Sequence, residues 1–214
     1  MSDFTNTFNE ISLLLQGGKF KEISGAVQEA LTKGASPGDI LEKGLISGMN
    51  IVGEKFKNGE LFVPQVMISA RAMNQAAQAL KPALTEAGVQ PVGKAIICTV
   101  KGDLHDIGKN LVKIMIEGNG IEVIDLGVDC SNEKIIEAVQ STGAKVLCLS
   151  ALLTTTMTAQ KEVIQALEQA GLRDKVTIMI GGAPVTQGFA DEIGADVYTP
   201  DAATAAKVCK SFYN

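Results

Sequence analysis

From Lys94 onward, short β-branched, apolar runs alternate with helical stretches, a pattern that restricts the chain to a parallel sheet covered on both faces. The strand-like runs are about 94–100, 121–126, 145–150, 175–180 and a short 195–198. Helices are expected to begin near Ile107, Asn132, Met157, Val185 and Asp201. Such units fit a doubly wound α/β sheet of order 2-1-3-4-5. Its ligand crevice lies beyond the C-terminal ends of strands 1 and 3.

The preceding part reads differently. Phe4, Phe8, Ile11 and Leu15 recur at helical spacing until Gly17-Gly18 stops the run. A second helix is expected from about Phe20 through Ile23, Val27 and Leu31 to Gly34. Ser36-Pro37 opens a third, an N-cap residue followed by Pro at the first helical position, and it reaches Asn58-Gly59. A fourth runs from near Leu61 to Pro82. Four helices on short connections predict a bundle over residues 1–85, then a linker over 86–93 and the α/β domain over 94–214. Two Pro and two Gly across 81–93 give the join its linker signature.

Composition excludes several classes. A net charge of -5 on 214 residues argues against a nucleic-acid binder, which needs a basic surface. No apolar run approaches the ~20 residues that span a bilayer. Met1-Ser2-Asp3-Phe4 has neither a basic nor an apolar export region, so the expectation is a cytoplasmic protein. Cys98, Cys130, Cys148 and Cys209 show no C-x-x-C pairing and read as structural thiols in a reducing compartment.

The sheet rule brings three segments to one rim: Lys101 to Asn110 after strand 1, Ser150 to Thr156 after strand 3, and Gly181-Gly182 after strand 4. His105, the only histidine, lies in the first of them. Asp103, two residues earlier, can accept from one ring nitrogen and leave the other for a metal. Ser150, Thr154 and Thr156 supply hydroxyls, either to a ligand or to the start of the next helix. Gly108, Gly181 and Gly182 let backbone approach a bulky ligand. One nitrogen cannot hold a bare zinc ion, which takes about four ligands. A metal on His105 must therefore bring most of its own, as in a macrocycle.

Asp103-x-His105-x-x-Gly108, then Ser150-x-Leu152, then Gly181-Gly182 resembles the signature of cobalamin-binding domains that hold the cofactor base-off, with histidine on cobalt. Gly48-Met49-Asn50-Ile51-Val52-Gly53, Phe56 and Leu61-Phe62-Val63-Pro64-Gln65-Val66 resemble the helical cap of methionine synthase and of methylotrophic corrinoid proteins. The resemblance thus covers nearly the whole chain. It looks most like the small corrinoid proteins of methylamine and quaternary-amine methyltransferases, and it implies a four-helix cap on a Rossmann-like, flavodoxin-like cobalamin domain.

The resemblance implies His105 as the lower axial ligand, the sole protein ligand to the metal. Asp103 would bond its far nitrogen and form a relay with Thr156, a position where methionine synthase has Ser. Gly102, Leu104, Asp106 and Gly108 would line the same loop. Ser150, Leu152 and Thr154 would meet the displaced nucleotide tail, flanked by Gly181 and Gly182, with Ala202 a further contact. Phe56 and Val63 would cover the methyl-bearing face, and Glu42 would meet the corrin; in their own right Phe56 and Val63 also read as bundle core and Glu42 as a surface charge.

The implied function is that of a non-catalytic methyl carrier cycling between Co(I) and methylcobalamin. It would accept from a substrate:corrinoid methyltransferase and deliver to a corrinoid:tetrahydrofolate or corrinoid:thiol methyltransferase, with a reductive activase as a further partner and the linker as hinge. Two other readings use the same fold. A cobalamin sensor would place Trp and a second His in the cap, and the chain has no Trp and 1 His. The cofactor subunit of an adenosylcobalamin mutase usually has no such cap.

Overall fold

The computed structural model describes residues Phe4–Tyr213; Met1–Asp3, read above as lacking an export signal, lie outside them together with Asn214. The chain forms two compact units, one comprising the residues up to Pro91 together with Gly118–Gly120, the other Val92–Glu117 and the residues from Ile121 onward.

The first unit is helical: α1 (Thr5–Gln16), α2 (Ile23–Thr32), the short α3 (Pro37–Asp39), a π-helical segment Ile40–Ile46, α4 (Ser47–Lys57) and α5 (Val63–Glu86). Ile11, Leu15, Ile23, Val27, Ile40, Leu45, Met49, Val66 and Leu80 are buried in its core. Gly48 lets α4 lie against α1, since a Cβ there would stand 3.2 Å from the Ser12 backbone. The third expected helix is present as the unbroken run α3, π segment, α4. Apolar spacing carries no signal for the π turn, a rare form that is frequent at functional sites. The second helix begins at Ile23 rather than Phe20, because Lys19–Glu22 form turns instead.

The fourth helix corrects an expectation. It does not stop at Pro82 but continues to Glu86. Pro82 is exposed, so the carbonyl it cannot serve one turn earlier faces water. The true stop is Gly88 at φ 70, where Gly88 N–H donates to Thr85 C=O and Val89 N–H to Leu84 C=O, a Schellman ending.

The second unit holds β1 (Gly93–Thr99), α6 (Ile107–Glu117), β2 (Ile121–Asp125), α7 (Asn132–Thr142), β3 (Val146–Ser150), α8 (Met157–Gln169), β4 (Thr177–Gly181), α9 (Gln187–Ile193), β5 (Val197–Tyr198) and α10 (Ala202–Ser211). All strand pairs are parallel and the order is β2-β1-β3-β4-β5, as the alternation predicts. Ile96, Cys98, Leu147, Leu149, Ile178 and Ile180 form the sheet's contribution to a core completed by Ile135, Val163, Ile164 and Leu167. Lys175 belongs to a 3-10 turn, so β4 starts later than the apolar run suggests. Ser131, Thr186 and Asp201 cap the helices that follow them. All four cysteines are free and buried. No helix among the described residues is long and apolar enough to cross a membrane.

Candidate functional site

β1 ends at Thr99 and the chain turns at once. Asp103 N–H donates to Val100 C=O at 3.2 Å and Gly102 has φ 81, so Val100–Asp103 is a type II turn, whose third residue needs positive φ. The turn buries Asp103 completely and leaves the His105 side chain 50% exposed. Asp103 Oδ1 accepts from His105 N–H at 3.0 Å and lies 2.7 Å from His105 Nδ1. Asp103 Oδ2 accepts from Leu152 N–H and from the Thr156 hydroxyl, each at 2.7 Å. His105 C=O in turn accepts from Thr99 Oγ1 at 2.8 Å.

Burial pushes the Asp103 carboxyl up, but these bonds outweigh it. The N–H groups of His105 and Leu152, the Thr156 hydroxyl and the imidazole hold the carboxyl well below the usual carboxylate range. A buried anion at Nδ1 requires a proton on that nitrogen, so the lone pair of the neutral ring is placed on Nε2. The arrangement presents one oriented nitrogen donor to the outside.

Around it the rim is apolar. Leu104, Ile107, Leu152 and Leu153 are exposed by 73%, 74%, 40% and 44%, a cluster unusual for side chains of that size unless something covers them. Gly102 and Asp106 are exposed in the loop and Gly108 in the first turn of α6, and Asp106 accepts from the Asn110 side chain at 3.0 Å. Nothing lies within 4 Å of a Cβ built on Gly108, so its missing side chain serves no packing within the chain. Thr156 precedes α8 with its hydroxyl turned to Asp103. Ser150 is paired in register with Gly181 at the sheet's end, and Thr154 is exposed in the loop beyond β3. Gly182 has φ 135, and a Cβ there would meet Ala151 O at 1.7 Å.

Direct bonds thus join Asp103, His105, Leu152 and Thr156, and the parallel register brings Ser150 beside Gly181. Ala202 is buried as the first residue of α10, behind its Asp201 cap. Glu42, Phe56 and Val63 belong to the helical unit: Glu42 exposed on the π segment, Phe56 in α4 and Val63 opening α5, both half-buried.

Three residues escape sequence reasoning. Lys109, only 3% exposed, binds both oxygens of Asp125 at 2.7 Å, with Lys113 at 3.3 Å and Gly127 N–H at 2.9 Å completing the carboxylate's partners. Burial raises the Asp125 carboxyl, yet Lys109, Gly127 and Lys113 together bring it below its ordinary value. A lysine on an otherwise apolar helix face is the signal that would have found this pair. Asp129 donates its N–H to Asp103 C=O at 3.0 Å and accepts from Gly102 N–H at 2.7 Å. No motif marks it.

Among the described residues no group of three or more His, Cys, Asp or Glu could hold a metal ion. A lone nitrogen donor in an apolar collar, with open space over Gly108, fits a metal that arrives inside a macrocycle with an axial position free. A bare ion finds no such set.

Residues 93–208 match a family model described as a B12 binding domain, and residues 7–81 match a second model of the same description. The chain is 44% identical over 209 residues to monomethylamine corrinoid protein 2 of Methanosarcina mazei, covering 95% of this chain and 96% of that one. It belongs to the methylamine corrinoid protein family. The family likeness extends to a dimethylamine corrinoid protein of Methanosarcina barkeri, 45% identical over 186 residues, with 86% of this chain and 87% of that one covered. Among solved structures, the methanol:cobalamin methyltransferase complex MtaBC of Methanosarcina barkeri superposes with a TM-score of 0.85 at 32% identity, covering 97% of this chain and 80% of that chain.

Proposed function

We propose that this corrinoid protein carries a methyl group from a substrate:corrinoid methyltransferase, acting on a methylated amine, to a second methyltransferase that transfers it to tetrahydrofolate or a thiol. His105 would hold the cobalt of a bound corrinoid through Nε2, in place of the cofactor's own base. The single observation supporting this most is the chain Thr156–Asp103–His105, which holds the sole imidazole by one nitrogen and leaves the other free on an apolar rim. A bound corrinoid supplies a cobalt centre that takes up and releases a methyl group. The protein's residues do the rest.

Asp103 keeps the proton on His105 Nδ1 and fixes the ring plane, which makes Nε2 a stronger and better aimed donor. Protonation of Asp103 would remove that acceptor, so the relay links ligation to proton uptake. Leu104, Ile107, Leu152 and Leu153 would exclude water from the lower face, while Gly102 and Asp106 in the loop and Gly108 in the first turn of α6 would leave room for the ring. Ser150 and Thr154 offer hydroxyls to the nucleotide tail beside Gly181, Gly182 and Ala202. In the helical unit, Phe56 and Val63 would give apolar cover to the methyl-bearing face and Glu42 would meet the corrin, with the connection between α5 and β1 as the hinge. A reductive activase would restore the active state after oxidation.

Reconstitution with cobalamin tests the axial ligand. With 15N-histidine, the Co(II) spectrum of the wild type should carry superhyperfine coupling to one protein nitrogen, and His105→Ala should lose it. No labelled-nitrogen coupling in the wild type, or a nitrogen coupling from the cofactor's own base that is the same in wild type and His105→Ala, would falsify axial ligation by His105.

A further inference from the structure

The main chain beside Asp103 is held by a residue whose own backbone is strained for the purpose. After β2, Thr99 N–H donates to Gly127 C=O, and Cys130 N–H then donates to Thr99 C=O. A regular parallel ladder would bring residue 129, two beyond Gly127, to that carbonyl. One extra residue is therefore inserted, a bulge, and the residue it releases is Asp129. Among the described residues Asp129 is the one non-glycine with positive φ, at 50. Asp tolerates that region better than most side chains, because its short polar side chain can hydrogen-bond locally.

The released residue makes two bonds, both to the loop carrying His105. Its N–H donates to Asp103 C=O at 3.0 Å, and its Oδ1 accepts from Gly102 N–H at 2.7 Å. A type II turn closes through its fourth residue's N–H, so Gly102 N–H must find a partner outside the turn, and Asp129 is that partner. Asp103 is consequently fixed from two directions. Leu152 and Thr156 hold its carboxylate from the loop after β3, and Asp129 holds its peptide from the loop after β2.

We infer that Asp129 is a positioning residue for the axial histidine: by gripping Gly102 and the Asp103 carbonyl, it sets the carboxylate that fixes the His105 ring. The inference rests on the reading of His105 as cobalt ligand, and acts through Asp103 rather than on the cofactor itself.

The single histidine makes the test direct, because one set of imidazole nitrogen signals reports the ring in the protein without cofactor. At pH 8 the wild type should show the Nδ1–H tautomer. Asp129→Gly keeps a backbone that accepts positive φ and removes only the side-chain acceptor. Its imidazole should shift toward a mixture with substantial Nε2–H, and its affinity for hydroxocobalamin should fall roughly tenfold, as expected for one charge-assisted hydrogen bond. Asp129→Asn, which retains an acceptor oxygen and suits the left-handed region, should restore both readouts. A purely structural role would lower the melting temperature of Asp129→Gly and leave the tautomer unchanged, and that result would overturn the inference. Loss of tautomer order in Asp129→Gly, combined with no protein-nitrogen coupling in wild-type Co(II) spectra, would sink axial ligation while leaving Asp129's hold on the ring standing.

Discussion

Gly182 and Gly108 look alike in sequence, as glycines at the rim, yet they answer to different demands. At Gly182 a Cβ would stand 1.7 Å from Ala151 O, a backbone atom, with φ at 135. Gly182→Ala must therefore separate the chain segments leaving β3 and β4, at a cost of about 3 kcal/mol. The denaturant midpoint of the protein without cofactor should fall accordingly, and an unchanged midpoint would show that these segments part freely. Gly108 lies in the first turn of α6 with nothing within 4 Å of a built Cβ. Gly108→Ala should keep or slightly raise stability, by up to about 1 kcal/mol from helix propensity. It should also weaken cobalamin binding, since any ligand over that loop meets the added methyl. Equal affinity in wild type and Gly108→Ala would remove Gly108 from the ligand's footprint. Only coordinates separate the two cases. The motif places both glycines at the rim, but the atoms each approaches depend on non-local pairing that no local spacing encodes.

Helix α6 and strand β2 are tied by a pair that periodicity hides. Lys109 falls among apolar positions and is buried, with Asp125 closing β2 as its counter-ion at 2.7 Å. Lys109→Met fills similar volume without the charge and leaves Asp125 with Lys113 and Gly127 alone. Breaking a buried pair costs about 3–5 kcal/mol. The residual partners and partial exposure of Asp125 bring the expected loss to about 2 kcal/mol at neutral pH. The acid limb gives the sign. Because Asp125 has a folded value below its unfolded one, its stabilisation is complete above the unfolded value near 4 and is lost as pH falls through the lower folded value. The wild-type advantage over Lys109→Met should therefore shrink on acidification and be smallest below both values. An advantage of equal size at pH 7 and pH 2 would show that Lys109 contributes packing rather than charge. Element types were largely legible in the chain: the alternation after Lys94 implied a parallel sheet and fitted the observed strand order, and Ser36-Pro37 marked a true helix start. Boundaries were less so. Pro82 reads as a stop only if its exposed face is unknown, and the π turn at Ile40–Ile46 leaves no mark on apolar spacing.

Each unit of the molecule carries its own buried core, so each can report ligand binding separately. The rim formed by the loops after β1, β3 and β4 lies wholly in the α/β unit, and that is where the Asp-x-His signature could be read. The part proposed for Phe56 and Val63 rests on a resemblance alone, because they are half-buried apolar residues of a kind any bundle contains. Hydrogen exchange followed by mass spectrometry resolves the two contributions, since binding at 100 times Kd stabilises whatever it engages by about 2.7 kcal/mol. With cobalamin added, peptides over residues 100–108, 150–157 and 181–185 should gain protection if the rim is the site. Peptides over 54–66 should gain it too if Phe56 and Val63 cover the ligand, and a Phe56→Ala, Val63→Ala double variant should confine the gain to the α/β unit. Protection limited to the α/β unit in the wild type would assign Phe56 and Val63 to bundle packing alone. It would leave His105 as ligand and require the methyl-bearing face to be shielded by the partner methyltransferases instead.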